Sequence, residues 1–126
     1  MKAMLKQIDR VCSDLRGQAD HFKSHGGNAI AVGIVGVNEA AFTVGYEGER
    51  VFRTNGRNHK HPKDEAPEAR RRLIERVGPP FDELLVLNFT ATNEAPYSFA
   101  WANERQANLD LGATLVRVSQ AYERRF

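Results

Sequence analysis

The sequence lacks the features that would mark a secreted or membrane-spanning protein. Cys12 is the single cysteine among 126 residues, so no disulfide can form within the chain. No apolar stretch approaches the roughly 20 residues that a membrane-spanning helix needs. The first fifteen residues include Asp9 and Asp14 and have no uninterrupted apolar centre, which does not fit a secretory signal. We therefore predict a cytoplasmic protein with no membrane partner.

Motifs of common enzyme classes are missing as well. There is no GxSxG nucleophile motif and no GxxxxGK[ST] phosphate loop, and the spacing of Gly33 and Gly36 is not that of a dinucleotide-binding fingerprint. Cys12 falls in a helical apolar pattern, which favours a small buried residue over a nucleophile. The sequence thus favours a binding function over catalysis, and we expect no cofactor unless a divalent metal is bound.

The composition is that of an ordinary globular protein, with 41% apolar and 27% charged residues. The length fits one domain that can bury a core without metals or disulfides. No internal repeat or linker divides the chain. We predict a single α+β domain over residues 1–126.

The run Phe81–Thr90 is the strongest strand signal, because its apolar residues are almost consecutive, as in a strand covered on both faces. Prolines before it and Asn93, Glu94 and Pro96 after it limit the run to strand length. Asn88 interrupts it. A buried amide must find hydrogen-bond partners, so Asn88 is interpreted either as a satisfied structural amide or as part of the lining of a pocket.

Periodicity predicts the other elements around this strand. Apolar residues at spacings of three and four predict a helix from 1 to 24, stopped by Gly26 and Gly27. The predicted strands 29–37, 41–47 and 50–54 form an antiparallel meander; a helix runs from about 64 to 77; a strand over 97–101 pairs with 81–90; and a last helix starts near Ala107 or Asp110. The result is a two-layer α+β fold with a mostly antiparallel sheet and the order α-β-β-β-α-β-β-α.

Charge is concentrated in the segment from Arg50 to Arg76, which has nine Lys and Arg against four acids, a net charge of +5 in a chain of net charge +2. Such segments contact phosphates, although arginines on a helix also form solvated faces. No aromatic residue stands among the cations from Arg53 to Arg76, which argues against stacking there. We predict a nucleic-acid-binding module that uses Arg53, Arg57, Lys60, Lys63, Arg70, Arg71 and Arg72.

A homodimeric interaction or chaperone-like protein is the first alternative. The seam of the first helix, with apolar residues at near-heptad spacing, can pack on the sheet or on a second copy of itself. The aromatic strand residues Tyr97, Phe99 and Trp101 offer another contact surface.

A metal-dependent hydrolase or nuclease-like protein is the second alternative. Four histidines have ligand-like spacings, His21 with His25 on the first helix and His59 with His61 in the polar loop. Carboxylates on or beside the meander can bind Mg²⁺ for phosphodiester hydrolysis. These carboxylates are Glu39, Glu47, Glu49, Asp64 and Glu65.

Three families share parts of this pattern. The order α-β-β-β-α-β over the first 90 residues resembles the core of the PD-(D/E)xK nucleases, with Glu47-Gly48-Glu49-Arg50 where an acid and an (D/E)xK pair would stand. His61-Pro62-Lys63-Asp64-Glu65 opens a helix in a way similar to the cytidine-deaminase motif, but the zinc cysteines are missing. The full element order also resembles the type III secretion chaperones, which tend to be acidic.

Overall fold

The computed structural model describes residues 4–24 and 29–126. The α+β class and the predicted order of elements are confirmed. The predicted stop at Gly26 and Gly27 lies outside the described residues. The helices are α1 (Met4–Ser24), α2 (Pro62–Val77) and α3 (Glu104–Arg125), and the strands are β1 (Val32–Asn38), β2 (Val44–Glu47), β3 (Arg50–Arg53), β4 (Glu83–Ala91) and β5 (Phe99–Trp101).

Strand β4 is the centre of the larger sheet, as its apolar run predicts. It lies between β1 and β5. Leu85 and Val86 point to opposite faces of the sheet, and each is only 4% exposed. Strand β5 runs antiparallel to β4, with Phe89 opposite Trp101, so the predicted pairing of these two strands is confirmed.

The predicted antiparallel meander of the first three strands is wrong. Strand β1 pairs in parallel with β4, from Val32 opposite Glu83 to Asn38 opposite Phe89. Strands β2 and β3 form a separate antiparallel hairpin. The chain from β1 to β4 includes α2, and a parallel pair needs such a long crossover. Alternation along a strand indicates which side chains share a face but does not select the neighbouring strand.

Helices lie on both faces of the larger sheet, so the predicted two-layer arrangement is not confirmed. On one face, α1 and α2 pack together and enclose a core that includes Ile8, Cys12, Leu73 and Val86. Helix α3 contacts β4 and β5. It lies on the opposite face, where Leu85 points. The sheet therefore combines one parallel and one antiparallel pairing between two helical layers.

Two helices begin earlier than their apolar patterns indicate. Helix α2 begins at Pro62 with His61 as its N-cap, and Pro62 occupies an early helical position where its missing N–H costs nothing. Helix α3 begins at Glu104, because the Asn103 side chain accepts a hydrogen bond from the Gln106 N–H. None of the helices in the described part of the chain combines the length and the apolar character needed to cross a membrane.

Polar contacts rather than a wide apolar face hold α3 on the sheet. Among its 22 residues, only Thr114 and Ala121 are buried. Arg117 pairs with Glu83, and Arg125 pairs with Asp82. Asp82 also accepts the Ala31 N–H at 2.8 Å. The hydrogen bond from Arg125 is the largest cause that lowers the pKa of Asp82 below its ordinary value, and the hydrogen bond from the Ala31 N–H adds to this effect.

We expect Asp82→Asn to lower the free energy of unfolding at pH 7 by about 1.5–3 kcal/mol, because it removes the charge from these hydrogen bonds. The pKa of Asp82 is lowered in the folded state, so its contribution is complete above the unfolded pKa near 4 and is lost as the pH falls through the folded pKa. Urea unfolding at descending pH measures this difference.

The matched control is Asp14→Asn, which makes the same chemical change at an exposed position of α1. We expect it to change stability by no more than about 0.5 kcal/mol at any of these pH values. A difference between Asp82→Asn and the wild type that stays constant down to acid pH would contradict the proposed anchoring of α3.

Candidate functional site

The predicted cationic residues separate into two groups in the structure. Arg53 ends β3, and the exposed Arg57 and Lys60 belong to the loop that follows it. Lys63 is exposed in the first turn of α2. Arg53 is 3.9 Å from the Glu94 carboxylate and lies over the Phe42 ring at 3.8 Å. This first group presents its positive charge to solvent.

The second group, on α2, is paired with acids of the same protein. Arg71 contacts Glu68 and Glu75, each at 2.6 Å. Arg72 donates to Glu68 at 2.9 Å and lies 3.7 Å from Asp9 on α1. Hydrogen bonds from Arg71 and Arg72 lower the pKa of Glu68 to about 2. Much of the positive charge of α2 is therefore balanced within the molecule.

Arg70 has a separate position at the edge of the central strand. Its Nη1 donates at 2.8 Å both to the Val86 carbonyl and to the Asn88 Oδ1. The Asn88 carbonyl points to the β5 side of β4, where it accepts the Ala102 N–H at 3.0 Å. The Val86 carbonyl, two residues earlier, points the same way beyond the end of β5. Arg70 thus satisfies an edge carbonyl that β5 does not reach.

A cleft of about 180 Å³, lined by both polar and apolar side chains, opens at this edge. Asn88 lines it and donates to the Glu39 carboxylate at 2.6 Å while accepting from Arg70, so both interpretations of Asn88 apply. On the α3 side, Gln106 donates to Asp110 at 2.8 Å. Asp110 also lines the cleft. One cation and two acids meet there, which gives a nearly balanced polar surface without a single strong charge.

The tertiary structure places aromatic rings near Arg53, whereas the sequence from Arg53 to Arg76 contains no Phe, Tyr or Trp. Arg53 faces Val44 across the hairpin, so it shares one face with Tyr46. Tyr46 is hydrogen-bonded to Tyr97, which precedes β5. On the other face, the Phe52 ring lies 5.1 Å from that of His59. Only the fold shows this proximity, because Tyr97 is distant in sequence.

The histidines do not form a metal centre in the described part of the chain. His21 is exposed on α1, and His25 lies outside the described residues. His59 contacts Phe52, and the His61 Nδ1 lies 2.8 Å from the Thr54 Oγ1. No group of three or more His, Cys, Asp or Glu side chains suitable for a metal ion is found among residues 4–24 and 29–126.

The candidate carboxylates are dispersed. Glu65 is buried and accepts the Leu5 N–H at 2.8 Å, which ties α2 to α1. Glu49 and Asp64 are exposed, and Glu39 contributes to the cleft. The side chain of Glu47 is outside the described part of the structure. The nuclease-like interpretation therefore has no assembled metal site among the side chains described.

The seam of α1 is buried within the protein. Ile8, Cys12 and Ala19 are buried, and α1 packs closely against α2. Burial raises the pKa of the Cys12 thiol, which favours its neutral form. These three residues are not available to a second copy in the folded chain, whereas Phe22 at the end of the seam is 61% exposed. The aromatic residues Tyr97, Phe99 and Trp101 remain exposed, as the alternative surface requires.

We expect Asn88→Leu to destabilise the protein by about 1–3 kcal/mol, because the half-buried Arg70 and Glu39 each lose a hydrogen-bond partner. Thr90→Val is the matched control on the same face of β4, where the hydroxyl makes only a long contact of 3.5 Å. Urea unfolding compares the two variants. Equal stability of both variants would show that the Arg70–Asn88–Glu39 network does not support the cleft.

Comparisons with protein-family models, with curated proteins and with solved structures find no match to this chain. The interpretation of its sites therefore depends on their own chemistry. Two features support the interpretation: the exposed cations of β3 and the following loop, with Tyr46 and Tyr97 near Arg53, and the cleft at the edge of β4.

Proposed function

We propose that the protein is a non-enzymatic module that binds single-stranded nucleic acid. The binding region is termed the hairpin surface and consists of Tyr46, Arg53, Arg57, Lys60, Lys63 and Tyr97. The observation that carries the proposal is the combination of exposed cations and exposed aromatic rings on β2, β3 and their neighbouring segments. Cations for phosphates and rings for bases are the two components of single-strand binding sites.

The cations of the hairpin surface are well suited to phosphate contacts. Arg57, Lys60 and Lys63 are exposed. The ion pairs found in the described part of the chain involve other cations, apart from the long contact of Arg53 with Glu94. A phosphate can therefore bind these side chains without displacing a protein carboxylate. Arg71 and Arg72 would first have to break their contacts with Glu68, so they are poorer phosphate ligands.

Tyr46 and Tyr97 supply the stacking component of the proposal. Their exposed fractions are 52% and 62%, so a base can reach both rings. Loss of hydration and the hydrogen bond with Tyr97 raise the pKa of Tyr46. A tyrosine with its ordinary pKa near 10 is already neutral at physiological pH. Neutral rings stack on bases of any sequence, which predicts binding with little sequence preference.

We expect the affinity for a labelled oligothymidylate to fall as salt increases, with a linear relation between the logarithms of the two. The triple change Arg57→Ala, Lys60→Ala and Lys63→Ala should weaken binding and reduce the slope by about 2, at roughly 0.7 for each phosphate contact in a single strand. Fluorescence anisotropy at several salt concentrations measures both quantities.

The control is the triple change Lys6→Ala, Arg16→Ala and Arg105→Ala, which removes the same charge from exposed positions on α1 and α3. We expect this control to keep the wild-type slope. Equal losses in the two triple variants would mean that only net charge matters, and affinity independent of salt would overturn the proposal.

Replacing both Tyr46 and Tyr97 by leucine should lower the affinity by about 1–3 kcal/mol for each base that stacks, while the salt slope stays unchanged. Phe22→Leu is the matched control, because this aromatic ring is equally exposed but lies on α1. The same anisotropy titration reads both variants. If the double variant kept the wild-type affinity, binding would depend on phosphate contacts only. The proposed preference for single strands would then be wrong.

A further inference from the structure

The α3 side of the larger sheet is only partly covered. Helix α3 contacts β4 and β5, which leaves the corresponding face of β1 open. Val32 and Ile34 lie on this face, with Ile34 opposite the buried Leu85 of β4. Ile34 is 65% exposed, although its neighbour Leu85 is 4% exposed. On the opposite face, α2 contacts both β1 and β4, whereas no helix of the described chain contacts β1 to a similar extent on the α3 side.

The apolar side of α3 borders this open strip. Successive residues of a helix turn by about 100°, which puts Gln106 and Asp110 on one flank and Leu111, Leu115 and Tyr122 on the other. Gln106 and Asp110 line the cleft on the β5 side of β4. The flank with Leu111 and Leu115 is therefore directed to the β1 side. Leu115 and Tyr122 are about three-fifths exposed there.

We propose that a second copy of this chain covers the strip, with the two α3 helices packed antiparallel across a two-fold axis. The patch, termed the α3–β1 patch, consists of Val32, Ile34, Leu111, Leu115, Tyr122 and Phe126. With Val118, the apolar residues of its helical flank recur at spacings of four, three, four and four. That spacing forms a seam suited to pairing with another helix.

The size of the α3–β1 patch fits a dimer. Each of its six side chains is between 38% and 70% exposed and offers on the order of 100 Å² of apolar surface. The patch therefore offers on the order of 600 Å², at the lower end of the roughly 600–1,000 Å² that each partner contributes to a standard interface. This is the upper end of the roughly 300–600 Å² that the largest apolar patch of a monomer occupies, and such patches are often functional.

The helix dipoles favour an antiparallel arrangement of the two copies. A two-fold axis across the helix places the positive N-terminal end of one α3 beside the negative C-terminal end of the other. This dimer differs from one through α1, in which Ile8, Cys12 and Ala19 are already buried.

Sedimentation equilibrium of the wild-type chain tests the proposal and should give a dimer at micromolar concentration. Leu115→Asp or Ile34→Asp should raise the dimer dissociation constant at least tenfold. The matched control is Leu109→Asp, which adds the same charge at a residue of 57% exposure on the far side of α3. We expect this control to keep the wild-type dissociation constant.

Circular dichroism of each variant checks that it is folded. Hydrogen exchange of the wild-type chain is a second measurement, which needs no mutation. Amides of α3 and β1 should become more protected as the concentration rises through the dissociation constant. A wild-type monomer at about 100 μM would overturn the proposal. So would a dimer that Leu115→Asp and Ile34→Asp leave intact while both variants remain folded.

Discussion

The parallel pairing of β1 with β4 is the constraint on which the rest of the structure depends. It makes β4 a central strand, and it requires the crossover that puts α2 against the sheet. Leu85 and Val86 are buried on opposite faces as a result. The hairpin of β2 and β3 is then left outside this sheet, where its cations and aromatic rings meet solvent.

The same crossover determines which arginines can act outside the protein. Helix α2 packs along α1, so Arg72 and Arg76 meet Asp9, while Arg71 meets acids of its own helix. Exposed ion pairs of this kind contribute little stability. Their effect is mainly to reduce the positive field of α2. The loop cations after β3 make no ion pair among the residues that the structure describes, and they define a smaller, more localised cationic surface.

The two faces of the sheet differ in how completely they are covered. Apolar side chains of α1 and α2 fill one face, whereas α3 buries only Thr114 and Ala121 and depends on the contacts of Arg117 and Arg125. A helix attached mainly by polar contacts leaves its apolar flank available. The proposed dimer and the proposed nucleic-acid site use different surfaces, so each can hold without the other.

The sequence by itself determined the α+β class, the order of the elements and the central position of the 81–90 run, because local periodicity and turn residues report which faces are buried. Even the start of α3 has a local signal, the Asn103 cap. Only the tertiary structure decided that β1 pairs with β4, that the α2 arginines meet acids, and that Tyr97 reaches Tyr46. These contacts join residues distant along the chain, and alternation or charge counts contain no information about distant partners.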